Sequence, residues 1–187
     1  MDVHEETMVT IGEYARIPSA FLVDRIIRVR ANSASSEWTL AEEPCPTPYT
    51  KDYDAIPDNH PTDWARRFDT THWRLFAAYV RGRRVGGAIL IPPRRVSVTG
   101  DDAPTSELWD LRVHPEWQRQ GIARALWQHV ESIARTPLLR AETQDVNAPA
   151  CAFYAAQGCT LSLVEPFAYP MLPDEVRLVW QKAVLHS

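Results

Sequence analysis

The stretch VHPEWQRQGIARAL, residues 113–126, joins the end of a strand pattern to the start of a helix pattern through a short turn. Gly121 stands directly before the helix, where the first backbone N–H groups lack intrahelical partners and point outward with the positive end of the dipole. A glycine there lets another molecule approach the main chain, and Ala123 keeps the entrance small. Gln118, Arg119 and Arg124 flank it with hydrogen-bond donors. Such a turn is a cradle for a pyrophosphate or another anion. Taken by itself, the glycine also fits an ordinary helix start with surface arginines. The turn is not a P-loop, since no Gly-Lys-Ser/Thr follows, and the GxGxxG spacing of a dinucleotide site is absent.

Outward from this turn the chain alternates strands and helices. Ile122, Ala125, Leu126, Val130 and Ile133 recur at helical spacing, which predicts a helix over 122–135 with Pro137 ending it. LLRAETQ, 138–144, reads as the next strand. Asn147 is a good N-cap, Pro149 sits in the first turn where its missing N–H is harmless, and Gly158 is placed to stop the helix. Two strands follow, roughly 160–168 and 175–184. Upstream, ELWDLRV, 107–113, reads as a strand, and HWRLFAAYV with RVGGAILI as a strand pair turning around Gly82. FLVDRIIRVRA, 21–31, reads as a strand, with NSASS as a turn and EWTLAEE as its partner. Thr62 is placed to cap a short helix, DWARRF. Proline-rich 42–61 reads as irregular connection, and 91–104 as a long turn. The order predicts a mixed α/β sheet with a β-α-β unit in its second half.

Composition limits the functional classes. With 187 residues, 45% hydrophobic and 24% charged, the chain has the proportions of one ordinary globular domain. A net charge of −4 gives no reason to expect a nucleic-acid partner. No apolar run approaches the ~20 residues of a membrane helix, and the acidic start MDVHEETMVT is no secretory signal, so a cytoplasmic protein is expected. Cys45, Cys151 and Cys159 show no CxxC or zinc spacing, and the six histidines are scattered, so no metal is expected.

Val113-His114-Pro115 followed by Gln118-Arg119-Gln120-Gly121-Ile122-Ala123 resembles the acetyl-CoA signature of the GNAT superfamily of N-acetyltransferases. ETQDVNAPACAFYAAQGC, 142–159, resembles that family's second element, a strand, an asparagine turn and a helix bearing Phe-Tyr. The pattern is most similar to streptothricin acetyltransferases, with looser likeness in PSAFLVDRIIRVRANSASSEWTLAEEP and PDEVRLVW. The resemblance implies a GNAT fold: a mixed, mostly antiparallel sheet with splayed central strands and flanking helices. It implies one domain over 1–187, with acceptor-side strands and loops in 1–70 and the acetyl-CoA-binding core in 71–187.

The resemblance also implies site residues. Acetyl-CoA would be held by Leu111, Arg112 and Val113, by Gln118, Arg119, Gln120, Gly121, Ile122, Ala123 and Arg124, and by Gln144, Asn147, Cys151 and Tyr154. Tyr154 matches the family tyrosine that acts as general acid on the departing thiolate. No acetyl-enzyme is implied, so Cys151 is a core or coenzyme-lining thiol. Many relatives carry a glutamate where this chain has Trp109; Asp110 is retained, and strict alternation turns it away from Trp109 and Leu111. Glu107 is left as the candidate base. Ala141 and Cys159 also depart from the pattern, as packing changes. Trp38, Glu42, Trp109 and Asp110 are the acceptor-side candidates, since acidic groups with aromatic walls suit a cationic amine. The expected partner is a small-molecule amine, with a homodimer implied by family habit. A peptide or protein N-acetyltransferase and a non-catalytic acyl-CoA-binding module stay open.

Overall fold

The structure is a computed structural model that describes residues 1–31, 38–94 and 104–184. Along the chain run β1 (Asp2–Glu6), α1 (Ile11–Tyr14), β2 (Phe21–Ala31), β3 (Trp38–Lys51), α2 (Trp64–Arg67), β4 (Arg74–Val80), β5 (Arg83–Arg94), β6 (Thr105–Val113), α3 (Ile122–Ile133), β7 (Leu138–Gln144), α4 (Ala148–Ala156), β8 (Thr160–Glu165) and β9 (Arg177–Ala183). The class is mixed α/β, a mostly antiparallel sheet containing a parallel pair, flanked by helices. The chain divides into two compact units. One comprises Met1–Ala20, Asp52–Leu139 and the C-terminal residues from Ala183; the other comprises Phe21–Lys51 and Arg140–Lys182.

In the first unit β1, β4, β5 and β6 lie side by side, each antiparallel to the next. The run Leu75-Phe76-Ala77-Ala78 is buried throughout because both faces of β4 are covered. On one face α3 presents buried Ile122, Leu126, Trp127 and Val130. On the other, Tyr14, Trp64, Trp73, Leu75, Ile89 and Ile91 form a core joined by Phe68 and Trp109. Consecutive glycines on β5 admit both layers. A Cβ on Gly86 would meet Ile122 Cγ2 at 3.0 Å, and one on Gly87 would meet the Tyr14 ring at 2.7 Å.

In the second unit β2 and β3 form an antiparallel ribbon, and β7, β9 and β8 lie in that order. Trp180 and Leu178 of β9 are buried, and Trp180 Nε1 donates to Thr143 Oγ1 at 2.9 Å. The turn after β7 is stitched in from two directions. Asp145 O accepts from Ile27 N at 2.8 Å, and Asp145 Oδ1 accepts from Val176 N at 2.9 Å.

Several expectations need correction. The region 42–61 is not all irregular, because β3 continues through Pro44, Pro46 and Pro48 to Lys51. The ladder shifts between Val23, opposite Tyr49, and Arg25, opposite Pro44, so Pro46 and Pro48 fall in the unpaired bulge where proline is tolerated. Likewise Ile91–Arg94 is strand, not turn; residues 95–103, and the NSASS turn, lie outside the described residues. Thr62 caps nothing. It lies inside a 3₁₀ turn, Pro61–Asp63, with its hydroxyl 2.8 Å from His60 Nδ1. α3 ends at Ile133, before Pro137 is reached, as Ala134 turns extended and Thr136 bonds to Ser106. β8 and β9 are shorter than expected, and β1 and α1 were not anticipated.

Candidate active site

After β6 the chain leaves the sheet with His114 N donating to Val85 O at 2.8 Å, and makes a 3₁₀ turn over Pro115–Trp117. Two side chains then staple the loop to itself: Gln118 Nε2 donates to Val113 O at 3.3 Å, and Gln120 Nε2 to Glu116 O at 3.2 Å. Arg119 takes φ 62° and Gly121 φ 83°, both left-handed. The first helical bond is Ala125 N to Gly121 O, 3.0 Å, so the N–H groups of Ile122, Ala123 and Arg124 precede the helical ladder. Nothing lies within 4 Å of a Cβ built on Gly121. Arg119 and Arg124 are exposed beside it. Open space, oriented donors and two cations fit a pyrophosphate.

β6 itself carries a bulge. Ile89 pairs with Asp110 but Leu90 with Leu108, leaving Trp109 as the extra residue. This corrects the alternation. Trp109 packs at 5.0 Å from Trp73, 5.1 Å from Phe68 and 6.1 Å from Trp64. Asp110 goes to the same side, bonded at 2.6 Å to Arg112, whose guanidinium stands 5.5 Å over Tyr14. Leu111 and Val113 instead lie opposite Ala88 and Gly86, on the α3 side. The Arg112 side chain is thus committed to the carboxylates of Asp110 and Asp54 and to Ile17 O. Glu107 is half-buried on β6 opposite Ile91.

In the second unit Asn147 caps α4, its Oδ1 accepting from Ala150 N at 3.2 Å. Gly158, at φ 80°, follows the helix. Tyr154 is 7% exposed, edge-on to Phe153 at 5.2 Å and stacked with Trp180 at 6.5 Å. Cys151 is buried with Sγ 3.4 Å from Thr143 Oγ1, and burial pushes its thiol up to about 11, far from a thiolate nucleophile. Gln144 Nε2 donates to Tyr169 Oη at 2.9 Å, which donates in turn to Glu142 at 2.7 Å. Burial first, then the Glu142 charge, raises the Tyr169 phenol well above its usual value. Trp38 and Glu42 share β3, where Glu42 pairs with Arg25 at 3.0 Å.

Residues 36–159 match the model of the acetyltransferase (GNAT) family, about two thirds of the sequence. The chain belongs to that family. It is therefore an N-acetyltransferase by family, and acetyl-CoA is the acyl donor that GNAT enzymes use. No curated protein matches the sequence. Among solved structures it is similar to a nourseothricin acetyltransferase, at 24% identity and TM-score 0.74 over 98% of each chain. A second is the putative streptothricin acetyltransferase from Bacillus anthracis in complex with acetyl coenzyme A. It is 17% identical, with TM-score 0.77, over 97% of this chain and 98% of that one. The ribosomal-protein-S18-alanine N-acetyltransferase from Escherichia coli is 17% identical, with TM-score 0.61, over 100% and 95%. At these identities the likeness is one of GNAT fold.

The GNAT signature residues Gln118 to Arg124 come together in one loop of the first unit, with Leu111 and Val113 leading into it. Gln144, Asn147 and Cys151 meet at the β7–α4 turn of the second, and Tyr154 lies farther along α4 against Trp180. Trp109 is a core aromatic, and Asp110 an ion-pair partner. Sequence reading passed over Tyr169, a phenol between two of the ETQ side chains; its position in a proline-flanked loop gave no periodic signal. Among the described residues no group of His, Cys, Asp or Glu is arranged to hold a metal, and no helix is long and apolar enough to cross a membrane.

Proposed function

We propose that the chain transfers the acetyl group of acetyl-CoA directly to a primary amine of a small cationic molecule, with a streptothricin-like antibiotic as the first acceptor to test. The observation that carries this reading is the loop before α3, where Arg119 and Gly121 turn left-handed and a Cβ on Gly121 would meet open space. Likeness to two antibiotic acetyltransferases runs over nearly the whole chain, including the β2–β3 ribbon, and supports the choice of acceptor. Bound acetyl-CoA supplies an activated thioester.

The residues divide the remaining work. Main-chain N–H groups from Ile122 to Arg124, with Arg119, hold the pyrophosphate. Main-chain groups of Leu111 and Val113 hold the pantetheine arm. Gln118 and Gln120 keep the loop in shape. Tyr154 holds at Oη the proton that a departing thiolate needs. Glu107 accepts the proton that the amine must lose. Trp38 and Glu42 on the ribbon supply an aromatic face and a carboxylate for the acceptor's charge. Acetylation removes one positive charge from the acceptor, which is how a cationic antibiotic would be disarmed in the cytoplasm.

The test is thiol release from acetyl-CoA with streptothricin, spermidine, lysine and short peptides, comparing wild type with Tyr154→Phe. Fast release with streptothricin, cut by about 10²-fold or more in the variant, is expected. Release with peptides alone would move the acceptor to a protein or peptide amine. Tight acetyl-CoA binding without release for any amine would make the chain a binding module.

A further inference from the structure

The β2–β3 ribbon is rooted in two short stalks of the first unit, residues 17–20 leading to Phe21 and residues 52–54 following Lys51. Phe21 and Lys51 are themselves paired across the ribbon. The stalks are tied to each other: Ser19 Oγ donates to Asp52 Oδ1 at 2.9 Å, and Asp54 N donates to Ser19 Oγ and to Asp52 Oδ1, each at 3.0 Å. Both are then tied to one side chain. Arg112 Nη1 donates to Ile17 O at 3.1 Å and to Asp54 Oδ2 at 2.7 Å, Nη2 donates to Asp54 Oδ1 at 2.9 Å, and Nε donates to Asp110 Oδ2 at 2.6 Å.

This is a planar fork used on three partners at once, with only 6% of the residue exposed. A lysine ammonium, a single point of charge, cannot span the same set. Burial works against the guanidinium charge, and the carboxylates of Asp110 and Asp54 overcome it, so the clamp stays charged at every physiological pH. Asp110 and Arg112, two residues apart on β6, share one side by ordinary alternation, and the bulge adds Trp109 to that side.

We propose that Arg112 is a positioning residue for the acceptor amine: within the first unit it ties to β6 the two chain segments that lead into and out of the β2–β3 ribbon, and acceptor binding depends on that tie while acetyl-CoA binding does not. This rests on the reading that the ribbon carries the acceptor contacts. It assigns to the Arg112 side chain a task separate from the loop that follows the same strand.

Two measurements on the full-length chain test it, with variants Asp54→Asn, Arg112→Lys and Arg112→Met. Hydrogen exchange is read at residues 16–20 and 52–55 against residues 122–133. Loss of protection of about tenfold or more in the stalks, with α3 unchanged, is expected for Asp54→Asn and Arg112→Met. Steady-state kinetics should then show the acceptor KM raised about tenfold in Asp54→Asn, with the acetyl-CoA KM within about twofold of wild type. Arg112→Lys should fail to restore either reading. Equal rises in both KM values, no rise in either, or loss of protection spread evenly over the first unit would overturn the proposal. If Arg112→Met does not fold, Asp54→Asn, which leaves Arg112 paired with Asp110, carries the test. If wild type acetylates none of the amines, the reading of function has failed, and the exchange experiment still decides whether the clamp exists.

Discussion

Gly86→Ala tests the link between packing and the acyl-carrier loop. Gly86 lies on β5 opposite Val113, with α3 over it. An added Cβ would stand 2.9 Å from Arg112 O, 3.0 Å from Ile122 Cγ2 and 3.2 Å from Leu126 Cδ1. The nearest neighbour is main chain in mid-strand and cannot rotate away, so α3 must lift by several tenths of an ångström. Overpacking of this kind costs about 1–3 kcal/mol, and for a chain of this size each kcal/mol lowers Tm by roughly 2–4 °C. Because Ile122 is the first residue of α3, the lift also displaces the N–H groups that we assign to the pyrophosphate. Urea unfolding should show a lower midpoint at unchanged slope, and calorimetric titration should show acetyl-CoA bound several-fold more weakly. Gly12→Ala is the control. It sits in α1 with nothing within 4 Å of its Cβ position, and should stabilise by about 0.5–1 kcal/mol with acetyl-CoA affinity unchanged. A Gly86→Ala protein as stable as wild type would refute the packing argument. One that is destabilised yet binds acetyl-CoA normally would refute the coupling to the loop.

Asn147→Ala removes the α4 cap and should cost about 1 kcal/mol in urea unfolding. Cys151, buried and pushed up to about 11, should resist a disulfide reagent at neutral pH in the native protein while half-exposed Cys45 reacts, and Cys151→Ala should keep most of the transferase activity. Burial alone would raise the Glu6 carboxyl, but hydrogen bonds from Thr10, Tyr79 and Arg84 overcome it and hold the group below its usual 4.5. Its contribution is therefore present above that value and lost as pH falls through the lower folded value. Glu6→Gln should cost about 2 kcal/mol at pH 7, a gap that narrows as denaturation is repeated at successively lower pH below 4.5. A gap that widens on acidification would reverse the sign of that argument.

The elements that sequence reading placed well are those whose signal is local. β2 at Phe21–Ala31 and β7 at Leu138–Gln144 match their predicted bounds, since apolar runs between turn residues need no tertiary help. The Asn147 cap and the Gly121 turn were legible for the same reason: each is a single residue meeting a backbone demand. β3 was hidden because its prolines argue against a strand, and only the partner's bulge makes room for them. α1 is four residues long, below the length at which helical periodicity can be read, whereas the short helix read in DWARRF is present as α2 without its Thr62 cap. The place of α1 is set by Tyr14 packing into the aromatic core, a tertiary cause.

The candidate site divides along the same line. The loop that we propose for the pyrophosphate was legible as a turn into a helix because it is built from consecutive residues. The acceptor side was not, because one inserted residue changes what β6 presents. Strict alternation from Leu111 puts Asp110 with Arg112 on one face and Trp109 on the other. The bulge instead turns Trp109 to the face that Asp110 shares with Arg112; Asp110 lies within 2.6 Å of Arg112, so its carboxylate is spent on an ion pair and is a poor choice for the base. Downstream of the bulge, ordinary alternation leaves Leu111 and Val113 on the α3 side, leading into the loop, while Arg112 reaches Ile17 and Asp54, in the segments that flank the ribbon. Alternation along one strand thus separates the two tasks that we propose, with Leu111 and Val113 toward the acyl carrier and the Arg112 side chain toward the segments that flank the ribbon. Deleting Trp109 would flip the strand upstream of Asp110 and leave everything downstream in register, turning Glu107 to the α3 side. That deletion should abolish turnover through the displaced base, while the loop after Val113 goes on binding acetyl-CoA.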